Sequence, residues 1–595
     1  MNKAASDSEQ HILSLDLQGL RRSLTRNSMA LESPAPTRTP TTAALTFERL
    51  DTYFLFPFAL DKEAIQADHP QAWPGKTRWI DGLDSWIAGE SGRRASQGMA
   101  RLGLWKRASY STFDVDSPAY SDLLFFHSIV RHVFFDTNIG RHTDDQENHL
   151  RCYNIDASAS GRLWFEGSDV LGRGARAAVT DLRLYLSAQG IGVLSIGVAT
   201  GAIDAAQALW INHRLRKLYP VDADCVREGR TPNWLALKLE QGLQIETICE
   251  ERFEHPALVG FYPPLANTVK NLLYFADYAL EEYEPVLDEN MLVYSYGELD
   301  RGLISHGISP AAYDDVVKDF MFLSHKHSEA IQHSSATATV SFAFTAHSWS
   351  ILSIDSPAKA HRGSHDDARV PNPLLTQEES GILRAFHTRY HLMAIVALFY
   401  RAVLLDFSER SALVSRHLLQ DQQRVRLTLP SITMVNELRT EFLNFSSYWQ
   451  FDDLSCKQSD NDLFRRICAE YRIGEIKETL ASELRHMADF VYNFYQLRNT
   501  EAVNRLAMLS LIFGGGAVLT GFFGMNFGRE FGQFFFEGEG GTSIGHYFMV
   551  VLVCCFVFGS LALGTFVVLR NWRDYVAILN PPKERKLTSS LKRDR

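Results

Sequence analysis

Two long apolar runs in the last hundred residues constrain this chain more than any other feature. Residues 506–523 contain no charged side chain, and residues 547–569 contain none either. A helix needs roughly 20 apolar residues to cross a hydrocarbon layer of about 30 Å, so both runs are long enough. Two buried helices of a soluble core are the alternative. However, the second run has no polar face and is followed by Arg570 and Arg573, as is typical of a membrane span.

The charges around these runs predict an orientation. The segment 571–595 carries seven basic residues against three acidic ones, whereas the connection 527–546 carries Arg529 against three glutamates. By the positive-inside rule, the basic tail (570–595) is cytosolic and the acidic connection is extracytosolic. Two spans return the chain to the side on which it began. The sequence therefore predicts an integral membrane protein with two spans, at 506–526 and 547–569, and with cytosolic N- and C-termini.

The long region before the first span divides by composition. Residues 27–44 are rich in Ser, Thr, Pro and Ala, so we predict a disordered N-terminal tail at 1–45. Residues 46–370 mix strand and helix patterns, which predicts a cytosolic α/β domain. Within it we expect a hairpin over 181–199 that turns at Gln189-Gly190, a helix over 202–218, and one or two strands over 336–354. Weaker strand patterns occupy 54–58 and 163–166.

From about residue 371 to 505 the pattern is helical. We expect helices over 377–418 and 432–451, and a third that begins near Asp462 and continues into the first span. Along the third helix two heptad series predict a coiled-coil seam: Ile473, Leu480, Met487 and Phe494, and, offset by three, Ile476, Glu483, Phe490 and Leu497. A continuous helix over 473–523 would be about 75 Å long. The predicted fold class is thus α+β, with an α/β cytosolic domain, a long stalk helix and a two-helix transmembrane hairpin.

Several functional classes have no support in the sequence. The chain carries 60 Lys and Arg against 70 Asp and Glu, so binding to nucleic acid through bulk positive charge is not expected. No phosphate-binding GxxxxGK[ST] loop, dinucleotide-binding GxGxxG after a strand or GxSxG elbow is present. The chain is therefore not predicted to be an enzyme. None of its seven cysteines forms a CxxC pair, and a reducing compartment suits most of the chain.

The first span ends in Gly524-Met525-Asn526. This triplet, at the outer end of the penultimate span, resembles the signature of the CorA family of magnesium transporters. The resemblance extends over about 460–575: a long helix enters the first span, a short external loop follows, and a second span leads to a basic tail. Over 1–370 it is architectural only. The resemblance implies a homo-oligomeric channel in a lipid bilayer, pentameric in the family, with Mg²⁺ as the transported ion and possible regulator and with no other cofactor.

The chemistry of the triplet agrees with that implication. Mg²⁺ gives up its water reluctantly, so a ring of neutral amide oxygens can bind the hydrated ion without stripping it. Asn526, repeated around a pore, would form this ring and contact the ion through its waters. Gly524 permits the tight turn that ends the helix, and Met525 shapes the mouth. A helix C-cap is the alternative role for Asn526, and the two roles are compatible.

One face of the first span is small or mildly polar, and we expect it to line the pore. Close packing between membrane helices is the alternative explanation for such a face. The residues are Thr500, Val503, Leu506 or Ala507, Ser510, Gly514, Ala517 and Gly521. Neither span contains a charge that could couple transport to protons, so passive flux driven by the membrane potential is sufficient.

Two departures from the family pattern affect ion selectivity. Gly514-Gly515-Gly516 replaces a proline-containing stretch, and the short acidic motif that usually follows the triplet is absent. Glu537 and Glu539, in the Gly-rich loop, are candidates for a cation-attracting ring, although a solvated loop is the alternative. A family member that transports Zn²⁺ or other divalent ions therefore remains an alternative. The second alternative function is that of a membrane-anchored cytosolic scaffold or receptor that conducts no ions.

Overall fold

The computed structural model describes fifteen ranges of the chain and eight helical positions between 548 and 570. The ranges are 45–75, 78–96, 105–108, 125–134, 150–155, 161–218, 223–252, 267–275, 283–285, 290–299, 310–323, 331–334, 339–354, 382–423 and 429–524. The chain divides into two compact units. The first comprises Met1–Ala402 and Phe451–Arg472, and the second comprises Val403–Gln450 and Ile473–Arg595. The predicted disordered tail lies outside the described residues, apart from residue 45.

A mixed sheet forms the first unit. The strands are hydrogen-bonded in the order β12-β13-β14-β11-β1-β6-β5-β4-β8-β9. In addition, β7 and β10 each pair with β1, and β3 pairs with both β5 and β2. Of the described pairs, only β11 with β14 is parallel. The strands are β1 (Thr46–Leu60), β2 (Lys106–Ala108), β3 (Leu150–Asn154), β4 (Arg162–Ser168), β5 (Gly174–Ser187), β6 (Ile191–Thr200), β7 (Ile203–Asp204), β8 (Trp234–Gln241), β9 (Gln244–Arg252), β10 (Tyr283–Pro285), β11 (Leu292–Leu299), β12 (Ile331–Ser334), β13 (Thr339–Thr345) and β14 (Ser348–Ile354).

The predicted hairpin is confirmed as β5 and β6, which pair antiparallel from Ala178 to Leu186. The turn has Gly190 at φ 91°, a left-handed conformation that glycine adopts without strain. The region 336–354 forms two strands, β13 and β14. The weak patterns at 54–58 and 163–166 belong to longer strands, β1 and β4.

Because side chains alternate along a strand, the register assigns each residue of β1 to one of two faces. Phe54, Phe56 and Phe58 lie on the first face, together with Leu194 and Ile196 of β6, and all are buried in one apolar cluster. Short helices contribute to this cluster and cover this face. They are α1 (Lys62–Asp68), α2 (Trp79–Ser96), α4 (Ala205–Trp210), α5 (Ala223–Arg227), α6 (Asn267–Leu272) and α7 (Pro310–Phe320). A further short helix of this unit is α3 (Ser128–Phe134).

The second face of the sheet contacts a π-helical turn, Phe386–Tyr390, which leads into the long helix α8 (His391–Gln423). The Tyr294 hydroxyl of β11 donates to the Phe386 carbonyl at 2.8 Å. The rings of Trp349 and Tyr390 lie 5.9 Å apart. The helix α10 (Gln458–Glu470) contacts β13 on the same unit. The sheet therefore carries helices on both faces, which confirms the predicted α/β domain.

The prediction of one helix starting near Asp462 is wrong, because two helices occupy this region. The first, α10, ends at Glu470, and the second, α11, is Ile473–Gly524. Between them Arg472 has φ 54°, and its backbone N–H donates to the Ala469 carbonyl at 2.9 Å. A left-handed residue after the last turn is a common way to end a helix. Arginine is an unusual residue for that position, so the sequence carried no stop signal.

In the second unit, α11 packs against its own chain. Its neighbours there are α9 (Leu429–Asn444), which leads into a π-helical turn (Phe445–Trp449), and the end of α8. The Ser411 hydroxyl of α8 donates to Glu483 at 3.1 Å, and Ser415 contacts the Met487 sulfur at 3.3 Å.

The buried stripe of α11 matches one of the two predicted heptad series. Leu480 and Met487 are buried, as predicted, but their partners are Leu484 and Val491. The second predicted series is not buried within the chain: Glu483 and Leu497 are exposed, and Ile476 and Phe490 are half-buried. A seam between this series and a helix of another chain stays a prediction. The buried residues are offset by four positions rather than three. Residues four positions apart lie on one face of a helix, as residues three positions apart do.

Candidate functional site

The helix α11 is unbroken over 52 residues, which corresponds to about 78 Å. The predicted continuity between the stalk and the first apolar run is therefore confirmed as far as Gly524. The three glycines 514–516 are helical like their neighbours. The Thr520 hydroxyl donates back to the Gly516 carbonyl at 2.9 Å.

The burial of α11 changes abruptly along its length. Up to Val491 the helix has a buried stripe, but every side chain described between 492 and 521 is exposed or half-buried. Large apolar side chains are among the exposed ones: Tyr492, Tyr495, Leu497, Val503, Leu506 and Phe513. An exposed apolar surface of this extent marks contact with lipid or with another protein surface. The described side chains of the second part of α11 are thus not packed into a core.

The residues predicted to line the pore lie on this exposed part of α11. At about 100° per residue, their spacing places them along one stripe of the helix. Each is described as exposed: Thr500, Val503, Leu506, Ser510, Gly514, Ala517 and Gly521. The Thr500 hydroxyl donates to the Gln496 carbonyl at 2.8 Å, so its proton is directed to the helix backbone.

The predicted filter is described only at its first residue. Gly524 is the last residue of α11, and Met525 and Asn526 lie outside the described residues. Glu537 and Glu539 of the connecting loop also lie outside them. In the predicted second span, seven positions are described, all helical and all exposed, as is Arg570 directly after it. Four of them are large apolar residues: Phe548, Val551, Phe558 and Phe566.

Within the described ranges, one helix is long and apolar enough to cross a membrane by length and composition. It is Ile382–Asp421, which includes α8 as far as Asp421, and 78% of its most apolar window is buried inside the structure. Such burial is typical of a core helix. It is not one of the two predicted spans, which remain predictions.

The described side chains include no group of three or more His, Cys, Asp or Glu arranged to hold a metal ion. They do include a polar cluster that sequence reasoning missed. Asp51 and Tyr53 of β1 contact His387 in the turn before α8. The only local signal was the spacing of His387 and His391, which places both on one face of a helix.

The C-terminal part of this chain contains a long helix, α11, that continues into an apolar segment. Residues 440–570 match the model of the family described as CorA-like Mg²⁺ transporter protein. This match includes the whole of α11 and the predicted second span, and it confirms the resemblance seen in the sequence. Residues 440–570 are therefore similar to a family of membrane-integral transporters. No curated protein matches the chain.

Proposed function

We propose that this chain is the subunit of a homo-oligomeric channel that carries divalent cations, foremost Mg²⁺, across a membrane. The observation that carries the proposal is the second part of α11. It is apolar and continuous up to Gly524, its described side chains are exposed or half-buried, and it lies inside the segment that matches the transporter family. A helix of this kind needs neighbours of its own type or lipid around it. A ring of copies in a bilayer, five copies in the family that the chain resembles, gives the helix neighbours of its own type on the inside and lipid on the outside.

In such a ring, the stripe from Thr500 to Gly521 faces the lumen. Small side chains at Ser510, Gly514 and Ala517 leave room for a hydrated ion. The larger Val503 and Leu506 form apolar constrictions, where loss of water can close a pore. The bulkier side chains of the same helix then pack against lipid or against the second span.

The filter is the ring of Asn526 amides at the outer end. Mg²⁺ holds its octahedral water shell tightly, so amide oxygens that bind those waters can select the ion without removing water from it. Glu537 and Glu539 of the loop raise the local cation concentration at the entrance. The spans contain no Asp, Glu, Lys, Arg or His, so the driving force is the membrane potential. It amounts to about 4.6 kcal/mol per 100 mV for a divalent ion, twice the single-charge value.

The first test is Asn526→Ala in the full chain, reconstituted into liposomes that contain a Mg²⁺-sensitive dye. We expect uptake to fall at least tenfold, because the ring loses the oxygens that hold the hydrated ion; a factor of ten corresponds to about 1.4 kcal/mol. The matched control is Asn493→Ala, which removes the same amide from an exposed position of α11 below the apolar segment. Uptake by the control should equal that of the wild type.

Unchanged uptake in Asn526→Ala would contradict the filter assignment. A wild type that takes up Zn²⁺ but not Mg²⁺ would assign the channel to the other ion. A chain that remains monomeric in mild detergent and moves neither ion would instead be a membrane-anchored scaffold.

A further inference from the structure

Two histidines one helical turn apart connect the start of α8 to the second face of the sheet. His387 lies in the π-helical turn, and His391 is the first residue of α8. The ring of His387 bridges two side chains of β1: Nδ1 lies 2.9 Å from the Tyr53 hydroxyl, and Nε2 lies 3.2 Å from Asp51 Oδ2. His391 Nε2 lies 3.1 Å from the Ser195 hydroxyl of β6. All of these residues belong to the first unit.

The strand register explains why these groups meet. Tyr53 pairs with Gly197 and Leu55 pairs with Ser195, so Tyr53 and Ser195 are near neighbours on the same face. A Cβ atom at Gly197 would lie 2.7 Å from the Tyr53 ring. The glycine therefore leaves the space that the tyrosine occupies beneath the helix.

The carboxylate of Asp51 is buried, with 2% of its side chain exposed. Arg49 Nε contacts Oδ2 at 2.7 Å, but Oδ1 is buried without a hydrogen-bond partner among the described residues. A buried carboxylate oxygen without a partner is costly, and added positive charge nearby is favourable to it.

The elements packed against His387 carry other titratable or charged groups. They are Arg49, Asp51 and Tyr53 on β1; Asp181, Arg183 and Tyr185 on β5; Tyr294, Tyr296 and Glu298 on β11; and Arg384, Arg389 and His391 on the helix itself. Asp181 is paired with Arg183 at 2.6 Å, and Arg389 is paired with Asp460 at 3.3 Å. Asp51 is thus the carboxylate in direct contact with His387.

The neighbouring groups fix the roles of the two ring nitrogens. Burial raises the pKa of Tyr53, so its hydroxyl keeps its proton and donates to Nδ1 of the neutral imidazole. The other nitrogen, Nε2–H, then donates to Asp51. Burial first, then the nearby Arg183, holds the pKa of His391 well below its ordinary value of 6.5, so His391 stays neutral. His387 has 32% of its side chain exposed and is open to protons from water.

We propose that His387 is a proton-responsive latch, which fastens the first turn of α8 to the sheet more tightly when its imidazole is charged. On protonation, the hydrogen bond to Asp51 becomes a charge-assisted ion pair, and Nδ1–H donates to the Tyr53 oxygen. Charge-assisted hydrogen bonds are roughly twice as strong as neutral ones. Imidazole is the side chain whose ordinary titration falls within the range of cellular pH. The contact between the first turn of α8 and the sheet is therefore stronger in acid, where His387 is charged, and weaker in base, where it is neutral.

Hydrogen exchange of the backbone amides over 386–402 tests the latch in the detergent-solubilised full chain. The quantity is the protection factor of the wild type divided by that of His387→Gln, measured at pH 5.5 and at pH 8. We expect this ratio to be about fivefold larger at pH 5.5, from the difference between a charge-assisted and a neutral hydrogen bond.

His486→Gln is the control, because His486 is an exposed histidine of α11. Its ratio should be the same at both pH values. Asp51→Asn is the second variant, because it removes the charge that attracts the proton to His387. The wild-type protection factor divided by that of Asp51→Asn should therefore also be larger at pH 5.5 than at pH 8. If His387→Gln fails to fold, Asp51→Asn alone tests the proposal. A ratio that does not change with pH for whichever of the two variants folds would overturn the proposal.

Discussion

Replacing Leu480 with aspartate is expected to destabilise the second unit by about 3–5 kcal/mol, the cost of losing a large buried side chain and burying an unpaired charge. Leu480 is 1% exposed and belongs to the buried stripe of α11, with Leu484 and Met487. The carboxylate would enter the buried apolar stripe that contains Leu484 and Met487. Urea unfolding of the full chain in detergent, followed by far-UV circular dichroism, measures the loss as a lower midpoint.

Thr479→Asp is the matched control, because Thr479 is the preceding residue and is exposed. Its urea midpoint should stay close to that of the wild type. The shift caused by Leu480→Asp should also be independent of protein concentration, since the stripe packs within one chain. A midpoint shift that shrinks as the protein concentration rises would show instead that this seam joins different chains, as the heptad pattern alone suggested.

Replacing Gly192 with alanine is expected to destabilise the first unit by about 2–3 kcal/mol, near the upper end of the cost of overpacking a well-filled core. A Cβ atom at this position would lie 2.3 Å from the Phe58 ring. Phe58 is fully buried in the apolar cluster under β1 and β6, so its ring has no free space to move into. The strands must separate or the ring must leave its position.

Gly201→Ala tests whether this cost comes from crowding rather than from the loss of a glycine. Gly201 follows β6, and a Cβ atom there would have no neighbour within 4 Å. The thermal midpoint of Gly201→Ala should equal or exceed that of the wild type, because alanine restricts the unfolded chain. Equal midpoints for Gly192→Ala and the wild type would contradict the packing described here.

The parts of the fold that the sequence predicted are those with local causes. The turn at Gln189-Gly190 needs a left-handed residue, and glycine supplies it between two runs of β-branched and apolar residues. The long helix α11 follows from 52 residues without a proline. The Gly-Met-Asn triplet is local as well, and its position at the end of an apolar run indicated the transporter family.

The parts that were missed depend on distant residues or lack a local signal. The parallel neighbours β11 and β14 are separated by β12 and β13 in the chain, and no turn links them. The break before α11 falls on Arg472, a residue type that rarely adopts the left-handed conformation it has there. Asp51 and His387 are 336 positions apart, so only the completed sheet brings them together. The buried stripe of α11 differed by one position because 3.6 residues per turn allow offsets of both three and four.

The central claim is that this chain conducts divalent cations passively, and uptake under an imposed potential tests it most directly. Liposomes that contain the wild-type chain would be loaded with K⁺ and given valinomycin, so that external K⁺ sets the membrane potential. The claim predicts Mg²⁺ entry that rises steeply as the interior becomes more negative, without ATP or a proton gradient, and that falls at least tenfold in Asn526→Ala. Entry that is absent at every potential, or that requires a proton gradient, would contradict it.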